Sequence, residues 1–192
     1  MTTPSVVLAS ASPRRLQLLL AAGLAVEVLP VDTDEQALAG ESVRQMVCRL
    51  AQEKALASPV QDRPLIAADT MVCLHEQALG KPIDRDDARR MLRDLAGNTH
   101  HVLTAVCVRW GDLVQQAVVQ TEVHFRPISD IEIEVYLAHN DVMDKAGAYA
   151  LQGGAASFVD RVDGALDNVI GLPVATTLQL LDTIIQQGNQ PS

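Results

Sequence analysis

The chain reads as an α/β protein with a mixed, twisted sheet flanked by helices. Two observations carry that expectation. Segments 101–108 and 117–125 read as long strands joined by a turn at Gly111-Asp112, so part of the sheet is antiparallel. The first hundred residues instead alternate short apolar runs with capped helical segments, the pattern of parallel βα units. With 192 residues there is enough chain for one sizeable core or two small lobes. Neither repeats nor a low-complexity linker divides it, so a single domain over 1–192 is expected.

The elements follow in order. Residues 5–9 form a short buried strand. Residues 13–22 form a helix, with Ser12 at its N-cap, Pro13 at its first position and Gly23 just past its end. Residues 25–29 read as another strand and 31–40 as a loop carrying Asp32, Asp34 and Glu35. Ser42 and Gln45 have capping-box spacing and open a second helix, with Val43, Val47, Leu50 and Lys54 on one face. Residues 65–74 are a near-continuous apolar strand interrupted by Asp69 and Thr70. Residues 84–96 form a helix with Ala88, Met91, Leu92 and Leu95 on one face and Gly97 as its stop. In 117–125, Thr121, Val123 and Phe125 alternate with Glu122 and His124. Ser129 and Glu132 open a helix to about residue 138. A glycine-rich loop follows through Gly147, Gly153 and Gly154, then a short strand at 158–162, and Pro173 opens a final amphipathic helix to about 187.

Composition narrows the function classes. Lys+Arg 15 against Asp+Glu 24 gives a net charge of −9, unfavourable for a long polyanion. Aromatics are 3%, too few for a base-stacking platform, and the core is expected to rest on Leu, Val, Ile and Ala. No nucleic-acid partner is expected. No segment reaches the roughly 18 apolar residues of a membrane span, and the run after residue 5 is too short for a secretory signal. Cys48, Cys73 and Cys107 are far apart and in apolar contexts, which reads as reduced core residues of a cytoplasmic protein. There is no G-x-x-x-x-G-K-[ST], no G-x-G-x-x-G and no G-x-S-x-G.

Several residues invite chemistry. In "LASASPRRLQLL", Arg14 and Arg15 stand in the first turn of a helix, where the macrodipole disfavours cations by about 0.3–1 kcal/mol each. They are either a solvated surface pair or, with Ser10, Ser12 and free backbone N–H groups, an anion site. Asp69 is expensive inside an apolar strand; it either caps neighbouring backbone or serves as a general base or metal ligand. Lys54 either snorkels or reaches an anion. Lys81, between Gly80 and Pro82, is either a surface residue or one aimed by a rigid turn. Glu35 is either a surface acid or the partner of Asp69 around a shared cation. Gln152, in "DKAGAYALQGGA", offers donor and acceptor together, which suits a pyrimidine edge; the alternative is a plain loop. His100 and His101 have no metal-ligand partner at helical spacing and read as strand residues.

Taken together, "LASASPRR", "RLAQEKA", "AADTMV", "GKP", "DKAGAYALQG" and "VIGLP" occur in the order seen in the Maf family of nucleoside triphosphate pyrophosphatases, which the chain resembles over almost its whole length. The resemblance implies an elongated, two-lobed inosine-triphosphate-pyrophosphatase-like fold with a central cleft. It also implies hydrolysis between the α- and β-phosphates to a monophosphate and pyrophosphate, with Mg²⁺ or Mn²⁺ as cofactor and a homodimeric assembly. Asp69 then stands in the place of the catalytic acid/base. Asp69 and Glu35 fall at metal positions, and Ser10, Ser12, Arg14, Arg15, Lys54 and Lys81 at phosphate-binding positions. Thr70 after the catalytic aspartate, with Arg14 and Gln152, matches the subgroup acting on dTTP and UTP; the subgroup acting on 7-methyl-GTP carries Gln after the catalytic aspartate and Glu in the later loop. Leu166 stands where relatives carry an aromatic. The alternatives are a pyrophosphatase preferring modified nucleotides and a nucleotide-binding regulator of septum formation without turnover.

Overall fold

The computed structural model describes residues 5–188. Its strands are β1 (Val6–Leu8), β2 (Val26–Val28), β3 (Leu65–Leu74), β4 (Gln77–Leu79), β5 (Thr99–Trp110), β6 (Leu113–Phe125) and β7 (Val159–Asp163). Its helices are α1 (Pro13–Ala21), α2 (Val43–Ala57), α3 (Arg85–Leu95), α4 (Asp130–His139), α5 (Leu166–Ile170) and α6 (Val174–Gly188). The strands form a mixed sheet in the order β2-β1-β3-β5-β6-β7, with β4 paired to β3, as the sequence predicts for an α/β protein flanked by helices. The chain folds as two compact units.

Unit 1 comprises, of the described residues, 5–69, 104–119 and 171–188. Here β1 runs parallel to both β2 and β3, pairing Val7 with Glu27 and with Leu65. Its core is aliphatic: Val6, Leu8, Leu19, Ile66, Val106 and Ile184 are completely buried. Ser12 occupies the N-cap of α1, but its side chain makes no capping hydrogen bond; its N–H instead donates to Ser10 Oγ at 3.2 Å. In α2 the capping box forms, with Ser42 Oγ accepting from Gln45 N–H and Gln45 Oε1 accepting from Ser42 N–H. The far end of α2 is held by Arg109 of β5, a buried residue beyond the strand end predicted at 108. Its guanidinium donates to the carbonyls of Ala55, Ser58 and Val60 at 2.9, 2.7 and 2.6 Å, where a cation also suits the helix dipole.

Unit 2 comprises residues 70–103 and 120–170. The predicted apolar face of α3 is the buried one, and both Asp84 at its N-cap and the Ser129/Glu132 capping box of α4 make their hydrogen bonds. Composition predicts an aliphatic core throughout, yet both phenylalanines and both tyrosines of the chain pack here. Phe125, Phe158, Tyr136 and Tyr149 meet edge-to-face, and His100 joins them. Two elements lack a clear signal in the sequence. The turn before β4 places His75 and Glu76 at φ 48° and 66°, a conformation usually signalled by Asn-Gly, and no such pair is present. Helix α5 is short and opens at Leu166, whose side chain is exposed at the position where an aromatic is expected. The loop over 144–158 contains three 3-10 turns. Near its start Gly147 has φ 68°, and a Cβ there would lie 3.0 Å from Val72 Cγ2, so conformation and space both favour glycine. Its N–H donates to Gly80 O at 3.0 Å, tying this loop to the "GKP" turn.

The apolar contexts of the cysteines predict three core residues, and one of them is. Cys107 is buried, and burial pushes its thiol up to about 11; Cys48 and Cys73 are only half-buried, with a smaller rise of the same cause.

Burial, then the neighbouring His101 and His124, pushes His100 down to about 3, while its Nε2 lies 2.8 Å from Tyr149 Oη. The folded state therefore holds His100 neutral where the unfolded chain, near 6.5, takes up a proton. Stability is lost as pH falls from 6.5 toward 3, by up to about 1.4 kcal/mol per pH unit from this residue. Denaturant unfolding of wild type and His100→Gln across that range should give a shallower acid slope for the variant.

Candidate active site

The site assembles in unit 1 from four segments. Strand β3 carries Asp69 at 6% exposure, α2 carries Lys54 at 9%, and the turn after β1 carries Ser10 at 8%. The loop before α2 supplies Glu35. Lys54 Nζ donates to Asp69 Oδ1 at 2.6 Å and to Glu35 Oε1 at 2.8 Å. Of the two readings for Lys54, it reaches anions, and both are carboxylates of this chain. The cation that Glu35 shares with Asp69 is thus the Lys54 ammonium. Asp69 makes no bond to backbone among the described residues, and its Oδ2 is buried with no hydrogen-bond partner among them.

The arginine pair separates into two roles. Arg15 folds inward: Nε donates to Gly171 O at 2.9 Å and Nη1 to Ser10 Oγ at 3.1 Å. Burial lowers its pKa from the ordinary value, Asp69 opposes that, Arg14 adds to it and Glu35 opposes it again. Arg15 therefore lies in the field of both carboxylates. Arg14 makes no hydrogen bond among the described residues and is half-buried. No acidic residue occupies the first turn of α1. This end of the helix presents backbone N–H groups and cations together, an arrangement that favours an anion.

What holds the Glu35 loop has no signature in the sequence. Arg49 of α2 clamps that loop, donating through Nε and Nη2 to the two oxygens of Glu41, both at 2.7 Å, and through Nη2 to Gln36 O at 3.0 Å. These bonds hold Glu41 below the usual carboxylate range. In the sequence the pair looks like ordinary surface charge, since Arg49 and Glu41 are eight residues apart across a loop. Gly171 of "VIGLP" also gives no hint of its contribution, which is the carbonyl that anchors Arg15.

Three further candidates belong to unit 2. Thr70 follows Asp69 on β3 and is half-buried; Lys81 is exposed in the turn pinned by Gly147; Gln152 is exposed in the 3-10 turn Leu151–Gly153.

The donor set of Asp69 and Glu35 suits a divalent ion. Both offer hard carboxylate oxygens, which match Mg²⁺ or Mn²⁺, and Asp69 Oδ2 is a buried acceptor without a hydrogen-bond partner among the described residues. A second group, Glu122, His124 and Asp163, has ligand atoms within 4.8 Å of one another in unit 2.

The family profile described as Maf-like protein matches residues 5–184. The chain therefore belongs to the Maf family. Among its curated relatives, a protein named dTTP/UTP pyrophosphatase from Anaeromyxobacter dehalogenans is 52% identical over 182 residues, 93% of each chain. One of the same name from Geobacter sulfurreducens is 45% identical over 93% of this chain and 96% of its own. A third, from Yersinia pestis, is 44% identical over 95% and 94%. A solved HAM1 protein from Coxiella burnetii overlaps 96% of this chain and 100% of its own, with 16% identity and a TM-score of 0.49.

Lys54→Met leaves Asp69 as a buried carboxylate without its counter-ion. It should lower the free energy of unfolding by roughly 3 kcal/mol, measured by urea denaturation. Adding Asp69→Leu should recover most of the loss. Equal stability of wild type and the single variant would remove the ammonium from its structural role.

Proposed function

We propose that this protein is a nucleoside triphosphate pyrophosphatase acting on dTTP and UTP, releasing the monophosphate and pyrophosphate. The observation that carries the chemistry is Asp69: buried, oriented through Oδ1 by Lys54, and with Oδ2 lacking a partner among the described residues. The names borne by the relatives support the substrate class.

Asp69 accepts the proton of the attacking water at Oδ2, so the new P–O bond forms as the bridging α–β anhydride bond breaks and pyrophosphate leaves. Lys54 holds the carboxylate in one rotamer during that transfer. Arg15, fixed by Ser10 and Gly171, and Arg14 neutralise charge on the phosphates, while Ser10, Ser12 and the first N–H groups of α1 donate to the remaining oxygens. Lys81 is assigned to the leaving pyrophosphate. A divalent ion held by Glu35 and Asp69 would supply Lewis-acid charge stabilisation on the triphosphate.

Arg14, Thr70 and Gln152 are assigned to substrate choice, Gln152 because an amide complements a pyrimidine edge on both its donor and acceptor sides. The role is removal of nucleotides that would otherwise be misincorporated into nucleic acid. Its place is the cytoplasm, where nucleotide pools reside and where the three free thiols stay reduced. No helix among the described residues is long and apolar enough to cross a membrane.

Asp69→Asn should still fold, with Lys54 kept paired by Glu35, and lose roughly a thousandfold in pyrophosphate release from dTTP under saturating Mg²⁺ or Mn²⁺. A fully active variant sinks the assignment, and a wild-type protein that binds dTTP without releasing pyrophosphate is a regulator instead. In a side-by-side assay of dTTP, UTP, 7-methyl-GTP and ITP, Gln152→Glu should erode the preference for the pyrimidines. An unchanged ranking would take Gln152 out of the specificity set.

A further inference from the structure

Strands β5, β6 and β7 carry, within unit 2, a polar cluster that the proposed reaction does not use. The β6–β7 register sets Glu122 opposite Asp163 and His124 opposite Arg161. Like charges directly opposite on one face destabilise a sheet unless a cation joins them. Between them stands an imidazole: His124 Nε2 lies 2.9 Å from Glu122 Oε1 and 3.0 Å from Asp163 Oδ2. Across on β5, Thr99 Oγ1 lies 2.8 Å from His124 Nδ1, and His101 Nε2 lies 3.3 Å from Glu122 Oε2. Alternation along β5 puts Thr99 and His101 on one face, so three strands aim these groups at one spot.

We infer that Glu122, His124 and Asp163, with His101 beside them, form a binding site for a borderline divalent metal ion of the Zn²⁺ class. Two observations select that class. The set mixes imidazole nitrogen with carboxylate oxygen, which suits Zn²⁺, Co²⁺ or Ni²⁺, whereas Asp69 and Glu35 offer oxygen alone and suit Mg²⁺ or Mn²⁺. The second is the partner behind the ligand. Thr99 Oγ1 is placed to accept from His124 Nδ1–H; in that tautomer the Nε2 lone pair points between two carboxylates, the orientation that outer-shell partners of metal-bound histidines impose. Such a lone pair is repelled by both oxygens until a cation stands between them.

Arg161 is that cation when no metal is bound. Its Nη2 lies 3.0 Å from His124 Nε2 and 2.8 Å from Asp163 Oδ2. The side chain is 62% exposed, so it can swing into water at small cost when an ion takes its place. Arg161 is thus a competitor of the metal, and its removal improves the site.

The test is calorimetric titration of the full chain, stripped with EDTA, with ZnCl₂ and separately with MgCl₂. Zinc should bind wild type at one ion per chain at this site. His124→Gln should weaken that binding by roughly tenfold or more, Thr99→Val by about tenfold, and Arg161→Ala should strengthen it. Co²⁺ added to wild type should give a visible ligand-field absorption that His124→Gln loses. Without metal, His124→Gln should still melt cooperatively, and its pyrophosphate release in Mg²⁺ should equal that of wild type. Zinc affinity and cobalt spectrum unchanged in a folded His124→Gln, or no zinc uptake by wild type, overturns the site. Either result leaves the proposal for Asp69 untouched.

Discussion

Much of unit 1 is arranged around one ion-pair network, the buried Lys54–Asp69 pair with the half-exposed Glu35 on its outer side. A carboxylate placed inside an apolar strand has lost most of its hydration, and the protein replaces that water with a lysine rather than with backbone donors. The position of the lysine is itself over-determined. It sits in the last turn of α2, where the helix dipole favours a cation. The start of that helix is fixed by the capping box, its middle by the Arg49 clamp and its end by Arg109. A charge held in this way keeps Asp69 in one rotamer while leaving one of its oxygens uncommitted, which is what a proton acceptor requires.

Features set by local chemistry are legible in the sequence: the two capping boxes, the buried face of α3, and the interruption of a buried strand at Asp69. Features that depend on a partner across space are not. Cys48 and Cys73 sit in apolar sequence but near a surface. His75 and Glu76 form a tight turn without the residues that usually announce one. His101 has no partner at helical spacing, whereas its polar neighbour Glu122 lies on the next strand, twenty-one residues on. The candidate site is legible as residue types, through Ser10, Arg15, Lys54 and Asp69. Its wiring is not, because nothing in sequence spacing says that a lysine will spend its charge on two acids of its own chain.

The acidic composition acquires a different meaning once the charges are placed. A net charge of −9 argues against polyanions in general, yet Lys54 and Arg15 lie beside two carboxylates within a single unit, with Arg14 next to Arg15. The net charge is unfavourable for a long polyanion, and the local charge suits a small, highly charged anion. Under the proposed function, selectivity for a triphosphate over a polymer rests on the distribution of charge rather than its sum.

The two cores differ in a way that makes them separately visible to light. Trp110, the single tryptophan, lies in unit 1, while Tyr136 and Tyr149 both belong to the aromatic cluster of unit 2. Excitation at the red edge addresses the indole alone and so reports on the aliphatic unit that carries Asp69. The near-ultraviolet dichroism of the two phenols reports on the packing around His100. The uneven placement of a few aromatic rings gives this chain an intrinsic optical label on each half, with no substitution needed to distinguish them.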